Sequence, residues 1–322
     1  MRLPGTRKRF SYIGRVVIIT GGSRGLGLLM ARHLRKEGAR VALLARDREE
    51  LMRAKEQLGD DNSVLTVACD VAERALVRQA VEIVAHHFGR IDMLINNAGV
   101  IQVGPLQHMT YEDYHHAMNV HFWGALHCTD AVLPYMRQRR SGRIVNIASI
   151  GGLIAVPHLA PYAASKFALV GYSDAVRAEV AKDGIRVTTV CPGLMRTGSA
   201  VNALVKGRHE AEFAWFAALS SMPLVSIDAR RAARKIIEAA RRGAPHLTIT
   251  PQARLAAILD RIMPNTFGRM MMLATRALPR PVGISGNEAW PGYEARPAKL
   301  LRLVTALGDR AARRNNEVVV TG

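Results

Sequence analysis

Six short apolar runs, each followed by a stretch of helical character, constrain this chain more than any other feature. They are RVVIIT at 15–20, RVALLA at 40–45, SVLTVA at 63–68, IDMLIN at 91–96, GRIVNIAS at 142–149 and IRVTTV at 185–190. Each is continuous rather than alternating. A strand apolar on both faces must be covered on both, which is the condition of a parallel sheet between two helical layers. Helical patterns fill the gaps: from the first glycine cluster to about Lys36, then 47–58, 73–87, 111–136 and 160–181. Strand alternating with helix, joined by right-handed crossovers, predicts a doubly wound α/β fold.

The rhythm changes after Pro192. Helical signals rich in Ala, Phe and Trp occupy 198–222, a basic helix is expected over 228–242, and HLTIT at 246–250 reads as a short last strand. Residues 251–280 place Leu255, Ile258, Leu259, Ile262, Met263, Phe267, Met270, Met271, Ala274 and Leu278 among Arg254, Arg261, Arg269 and Arg276, and a Pro/Gly-rich then basic tail follows. The expected organisation is a basic arm at 1–13, a catalytic domain at 14–250 and a C-terminal helical extension at 251–322.

The first strand runs into Thr20-Gly21-Gly22-Ser23-Arg24-Gly25-Leu26-Gly27, which opens a helix. Glycines there permit a tight turn and close approach of backbone to a pyrophosphate, and the helix N-terminus adds unpaired N–H groups with positive partial charge. Between a strand and a helix near the chain start, this is a strong dinucleotide signal. The end of the second strand selects the form of the cofactor. A carboxylate there would bond the ribose 2′-hydroxyl of NAD. Ala45 is instead followed by Arg46, and Arg24 lies in the turn. Two guanidinium groups suit a 2′-phosphate, so NADP(H) is expected over NAD(H). Asp47 dissents, since a shift of one place would let it contact a ribose.

These residues, with Asn96-Asn97-Ala98-Gly99, Ser149, Tyr162-x3-Lys166 and Pro192-Gly193, resemble in order the motifs of the short-chain dehydrogenase/reductase family. The match covers about 14–197. The resemblance implies a seven-stranded Rossmann sheet with the cofactor across its carboxyl edge. It implies that Asp70, with Val71 beside it, contacts the adenine, and that Asn97, Ala98 and Gly99 line the adenine-ribose side. Thr197 resembles the threonine that holds the nicotinamide carboxamide. Asn119 resembles the helix asparagine that holds a water in the proton relay; a structural amide is the alternative. A homodimer or homotetramer is implied as well. Many family members end near residue 250, and this chain continues for about 70 residues.

The chemistry can be argued from the residues themselves. Tyr162 and Lys166, four apart on a helix, share a face. A phenol pKa near 10 is too high for base work at neutral pH, and a nearby ammonium and a helix N-terminus would favour the phenolate. Ser149 ends a strand at the edge that faces the ligand crevice, where its hydroxyl can donate to a substrate oxygen. Ser149, Tyr162 and Lys166 are therefore the candidate catalytic group, to which the resemblance adds Asn119, with Ser149 and Tyr162 touching substrate. The cofactor set is Gly21, Ser23, Arg24, Gly25, Leu26, Gly27, Arg46, Asp70, Val71, Asn97, Ala98, Gly99, Tyr162, Lys166, Pro192, Gly193 and Thr197.

The flap from about 194 to 223 carries Phe213, Trp215, Phe216 and Met222, which would line an apolar pocket or simply pack the flap on the body. Leu153, Ile154, Val156 and His158 lie between Ser149 and Tyr162. Few charges occur there, so an apolar ketone or alcohol (lipid-, steroid-, retinoid- or acyl-like) is expected. A sensor or scaffold that binds NADP(H) without turnover is the alternative, which the intact Ser149–Tyr162–Lys166 set disfavours.

Three cysteines and eleven histidines show no disulfide framework and no metal-ligand spacing, so no metal is expected. A reducing, cytoplasmic setting follows from the cysteine usage. No run of about 18 apolar residues would span a membrane. The net charge of +19 is compatible with nucleic acid, anionic lipid or a phosphorylated ligand. No nucleic-acid recognition motif accompanies it. Peripheral membrane contact through 251–280 is one reading of that segment; packing on the body or across a dimer is the other.

Overall fold

The computed structural model describes residues 10–59, 61–296 and 302–318, with side chains from 305 onward in the last stretch. Most of the expected basic arm therefore lies outside the described residues. The sheet strands are β1 (Val16–Thr20), β2 (Arg40–Ala45), β3 (Val64–Ala68), β4 (Met93–Asn96), β5 (Gly142–Ile147), β6 (Ile185–Pro192) and β7 (His246–Ile249). All pair in parallel, in the order β7-β6-β5-β4-β1-β2-β3. The order reverses between β1 and β4, and a crevice opens beyond the strand ends at such a switch.

Alternate residues of each strand feed two cores. Val17, Ile19, Leu43, Met93, Ile95 and Val145 point to the face covered by α1 (Gly25–Lys36) and α8 (Ala229–Arg242). Val16, Ile18, Ala42, Leu44, Leu94 and Ile144 point to the face covered by α3 (Arg74–Phe88) and α5 (Gly124–Gln138). Full burial of both sets is why the strands read as continuous apolar runs. The remaining helices before α8 are α2 (Arg48–Leu58), α4 (Tyr111–Met118), α6 (Ala160–Val180) and α7 (His209–Ser221).

Three departures from the sequence reading matter. The helix expected over 111–136 is divided by a π turn at Asn119–Trp123 into α4 and α5. The flap is helical only in α7, preceded by a 3₁₀ turn at Ser199–Asn202 and a short strand at Leu204–Val205. The 251–280 segment breaks at Met263 into α9 (Pro251–Ile262) and α10 (Pro264–Thr275). Pro264 causes the break, because a proline disfavours helical backbone in the residue before it.

The extension is tied into the body. Trp290–Pro291 pairs antiparallel with Leu204–Val205, which pairs parallel with Gln102–Val103. The last helix, α11 (Arg302–Arg314), packs on α7. By contrast, α9 and α10 pack chiefly on each other and bury little beyond Ala253 and Phe267. Among the described residues, no helix is long and apolar enough to cross a membrane.

Candidate active site

The crevice is built from the carboxyl ends of β1, β4, β5 and β6. At β1 the glycine-rich turn is pinned to the start of the Asn-Asn-Ala-Gly segment. The Thr20 hydroxyl accepts from the Asn97 and Ala98 backbone N–H groups at 2.9 and 3.0 Å, and the Asn97 amide donates to the Thr20 and Gly21 carbonyls at 3.1 and 3.0 Å. The turn tolerates no side chain where it closes. A Cβ at Gly27 would lie 2.1 Å from the Gly21 carbonyl oxygen, and Gly21 and Gly25 have φ of 59° and 55°. Such a turn, opening α1 with Leu26 buried beside it, fits the phosphates of a dinucleotide. Asn96 points the other way, into a buried chain of polar groups. Its amide donates to Asn146, Asn146 donates to Ser173, and Ser173 bonds Thr189.

The two arginines expected to meet a 2′-phosphate are differently placed. Arg24 is held by Glu50 at 2.9 Å and by Glu317 at 3.4 Å, and Ser23 donates to the same Glu50 at 2.9 Å. Arg46 is open to solvent, with Asp70 4.0 Å away. The dissenting Asp47 is the N-cap of α2, accepting from the Glu50 N–H, so its carboxylate is committed to the helix end. Asp70 accepts from Ala72 N–H, and Val71 is buried against Gly124. On the far side of the crevice Pro192 ends β6 and Gly193 donates to Ile249. The Thr197 hydroxyl bonds Ser199 at 2.8 Å.

Ser149, Tyr162 and Lys166 come together between β5 and α6. Ser149 Oγ accepts from Gly151 N–H at 3.1 Å, and a Cβ at Gly151 would lie 3.1 Å from the Tyr162 ring. Lys166 donates to the Ile147 carbonyl at 2.9 Å, with Nζ 5.7 Å from the centre of the Tyr162 ring. Burial raises the Tyr162 phenol above its ordinary value, and a hydrogen bond with Ser149 opposes the rise. Burial also lowers the Lys166 ammonium to about 7. The sequence argument expected Lys166 to draw the phenol downward. Here burial is the largest influence on both groups, and Nζ donates to the Ile147 carbonyl.

From the π turn, His121 reaches this group. Asn119, two residues earlier, has an exposed side chain. His121 is 1% exposed, its ring edge-on to Tyr162 with centroids 5.4 Å apart. Its Nε2 accepts from Val100 N–H at 3.1 Å, so Nδ1 carries the proton and donates to Ser165 Oγ at 2.8 Å. Ser165 donates in turn to the Tyr162 carbonyl. Burial, with Lys166 nearby, holds the imidazole pKa well below the ordinary histidine value. Sequence reasoning missed His121; its polarity inside an otherwise apolar VHFWGAL stretch was the available signal.

In the flap, Phe213 and Phe216 are buried against Val205, Val103 and Leu159, so they pack the flap on the body. Met222 is exposed, and Trp215 donates to Glu212 at 2.7 Å. Glu212 is fully buried, with both oxygens 2.9 Å from His158 Nδ1. A Glu212–His158–Trp215 cluster thus links the flap to the loop between Ser149 and Tyr162.

The short chain dehydrogenase family model matches residues 15–206. The chain belongs to the short-chain dehydrogenase/reductase family. Like the family it binds a nicotinamide dinucleotide, and it is an oxidoreductase. It is 34% identical over 266 residues to an oxidoreductase named SadH of Mycobacterium tuberculosis, covering 81% of this chain and 95% of that one. It is 41% identical over 183 residues to a 3-ketodihydrosphingosine reductase of Bacteroides thetaiotaomicron, covering 57% of this chain and 65% of that one. A short-chain dehydrogenase from Streptomyces avermitilis superposes with a TM-score of 0.69 at 27% identity, over 83% of this chain and 99% of that one. Levodione reductase superposes with a TM-score of 0.65 at 27% identity, over 76% and 99%.

Proposed function

We propose that this family member interconverts a carbonyl and an alcohol on an apolar, lipid-like substrate, with NADP(H) preferred and Tyr162 as general acid and base. The observation that carries the reading is the grouping of Ser149, Tyr162 and Lys166 at the carboxyl edge of β5. The dinucleotide, when bound, supplies or accepts the hydride. Ser149 donates a hydrogen bond to the substrate oxygen and stabilises its developing charge. Tyr162 gives that oxygen a proton in reduction and removes one in oxidation. Lys166, its ammonium lowered to about 7 by burial, reaches the ribose side and positions the nicotinamide. The cofactor would lie along Gly21, Ser23, Arg24, Gly25, Leu26, Gly27, Arg46, Asp70, Val71, Asn97, Ala98, Gly99, Pro192, Gly193 and Thr197. Asn119 holds the water of the proton relay, and His121 acts beside it as a positioning residue for Tyr162 through Ser165.

The substrate class is supported by the apolar loop residues Leu153, Ile154 and Val156 and by the relative named for a long-chain ketone. A sensor without turnover is the competing function. Following NADPH oxidation against aldehydes, ketones and quinones separates the two, with Tyr162→Phe as control. Equal rates for wild type and the variant on every substrate would remove the assigned site. An Arg46→Asp protein that kept its NADPH preference would remove the cofactor assignment.

Peripheral contact with an anionic membrane is part of the same reading. It is supported by six exposed large apolar side chains on α9 and α10, Leu255, Ile258, Ile262, Met270, Met272 and Leu273, and by Met263 at the break between them. Four arginines, Arg254, Arg261, Arg269 and Arg276, stand among them against a single acid, Asp260. An amphipathic basic face of this kind suits an anionic lipid surface next to a cleft that takes lipid-soluble substrate.

A further inference from the structure

The chain's own C-terminal residues lie across the glycine-rich turn. Their path begins at the end of α11. Asn316 adopts φ of 60°, a left-handed conformation that asparagine tolerates better than most residues. Glu317 N–H donates back to the Ala312 carbonyl and Asn315 N–H to the Ala311 carbonyl. This is a helix stop of the Schellman kind, and it turns the chain sharply off the helix axis. The sequence Asn315-Asn316-Glu317 therefore aims at the crevice by its own local geometry.

The docking that follows is dense. The Asn315 carbonyl accepts from the Gly25 N–H at 2.8 Å, and its amide donates to the Thr197 carbonyl at 2.8 Å. The Asn316 amide donates to the Ser23 carbonyl at 2.9 Å and to the Glu50 carbonyl at 3.2 Å, and its oxygen accepts from Arg53. The Glu317 carboxyl group meets Arg24 at 3.4 Å and Asn202 at 2.8 Å. A Cβ built on Gly25 would fall 2.4 Å from Glu317 Oε1, so the carboxyl group sits directly on the turn. All three residues are at least nine-tenths buried.

The geometry points to Glu317 as a specificity-determining residue that contests the phosphate groups of the cofactor for the Gly25 turn and for Arg24. This rests on the dinucleotide reading above. The segment joins the Thr197 side of the crevice to the Ser23–Arg24 side, the two ends a dinucleotide would bridge. Glu317 takes one edge of the Arg24 guanidinium and Glu50 the other. A 2′-phosphate gains Arg24 only by displacing one of these carboxylates. NADPH binding is thereby taxed by the tail, and NADH binding, which needs no contact with Arg24, is taxed less.

Fluorescence titration of full-length wild type, Glu317→Gln and Glu317→Ala with NADPH and with NADH tests this. Glu317→Ala should bind NADPH more tightly, by about tenfold for one charge-assisted contact released, and NADH by a smaller factor, whereas Glu317→Gln, which stays docked on the turn without a buried charge, should not. Hydrogen exchange on wild type supplies a readout that needs no variant: saturating NADPH should speed exchange across 305–317. Unchanged or weaker NADPH binding by Glu317→Ala overturns the proposal. So does NADPH-induced protection of 305–317, which would make the tail a clasp over bound cofactor. If no protein binds either dinucleotide, the cofactor assignment fails and this proposal with it; if all bind NADPH equally, only this proposal fails.

Discussion

Tyr162, Lys166 and His121 show how much burial decides at single residues. Replacing Tyr162 by Phe removes the hydroxyl proposed to donate the proton and leaves the ring packing intact. Turnover should fall by about 10²–10⁴-fold with little change in thermal stability, measured by NADPH oxidation and melting. His121 is held neutral, and each ring nitrogen has one partner. Asparagine can offer one acceptor and one donor from the same position, whereas leucine can offer neither. His121→Leu should leave the Val100 N–H unpaired at a cost of about 1–3 kcal/mol and lower kcat more than it raises KM. His121→Asn should recover most of both, so equal damage from the two variants would show that only the volume of the imidazole matters. Tyr-x3-Lys and the end-of-strand serine were legible in the sequence because their spacing carries chemistry. His121 was not, because its role depends on a π turn that shifts the helix register by one residue, and helical periodicity alone does not report such a turn.

At the scale of elements, the extension holds two different kinds of helix. The large apolar side chains of α9 and α10 are mostly exposed, whereas α11 packs on α7 with Thr305, Ala311 and Ala312 buried. Substituting Ile258, Ile262 and Leu273 together by serine should abolish pelleting with phosphatidylglycerol vesicles while leaving the melting temperature unchanged. Pelleting unaffected by the substitution would sink the membrane reading. Point substitutions are the right instrument, because truncation at 250 would also remove α11 and the tail beyond it. That tail should respond to pH. Burial raises Glu317 from 4.5 to about 7, with Glu50 adding to the rise while Arg24 and Asn202 oppose it. A carboxyl group whose pKa is raised on docking binds its proton more tightly when docked. Docking is therefore strongest below the ordinary carboxylate pKa and weakens as pH rises from about 4.5 through 7. Limited proteolysis should cut the tail faster at pH 8 than at pH 6, and Glu317→Gln should flatten the difference.

The whole molecule divides its labour between the two ends of the sheet. The amino ends of the strands are stitched by Arg15, Arg90 and the Val16 N–H onto the buried Asp92, and Tyr12 ties the chain start to α8 through the Ile237 carbonyl. The carboxyl ends carry the glycine turn, Ser149 and Pro192. Stability and chemistry should thus separate on mutation. Ile236→Ala, in the core between α8 and the sheet, should cost about 2–5 kcal/mol in urea denaturation while the surviving folded fraction keeps its KM. The sequence by itself determined the layered parallel sheet, because strands buried on both faces must be apolar throughout. It also determined the glycine turn and the Ser149–Tyr162–Lys166 set, whose spacings are local. Tertiary structure alone decided which charges meet. Glu50 and Glu317 converge on Arg24 from positions 26 and 293 residues away in the chain, Glu212 finds His158 under the flap, and Asp47 is spent on a helix cap. Pairings of that kind depend on where distant elements dock, and a long-range contact between two charged side chains leaves no periodic trace in the chain that carries them.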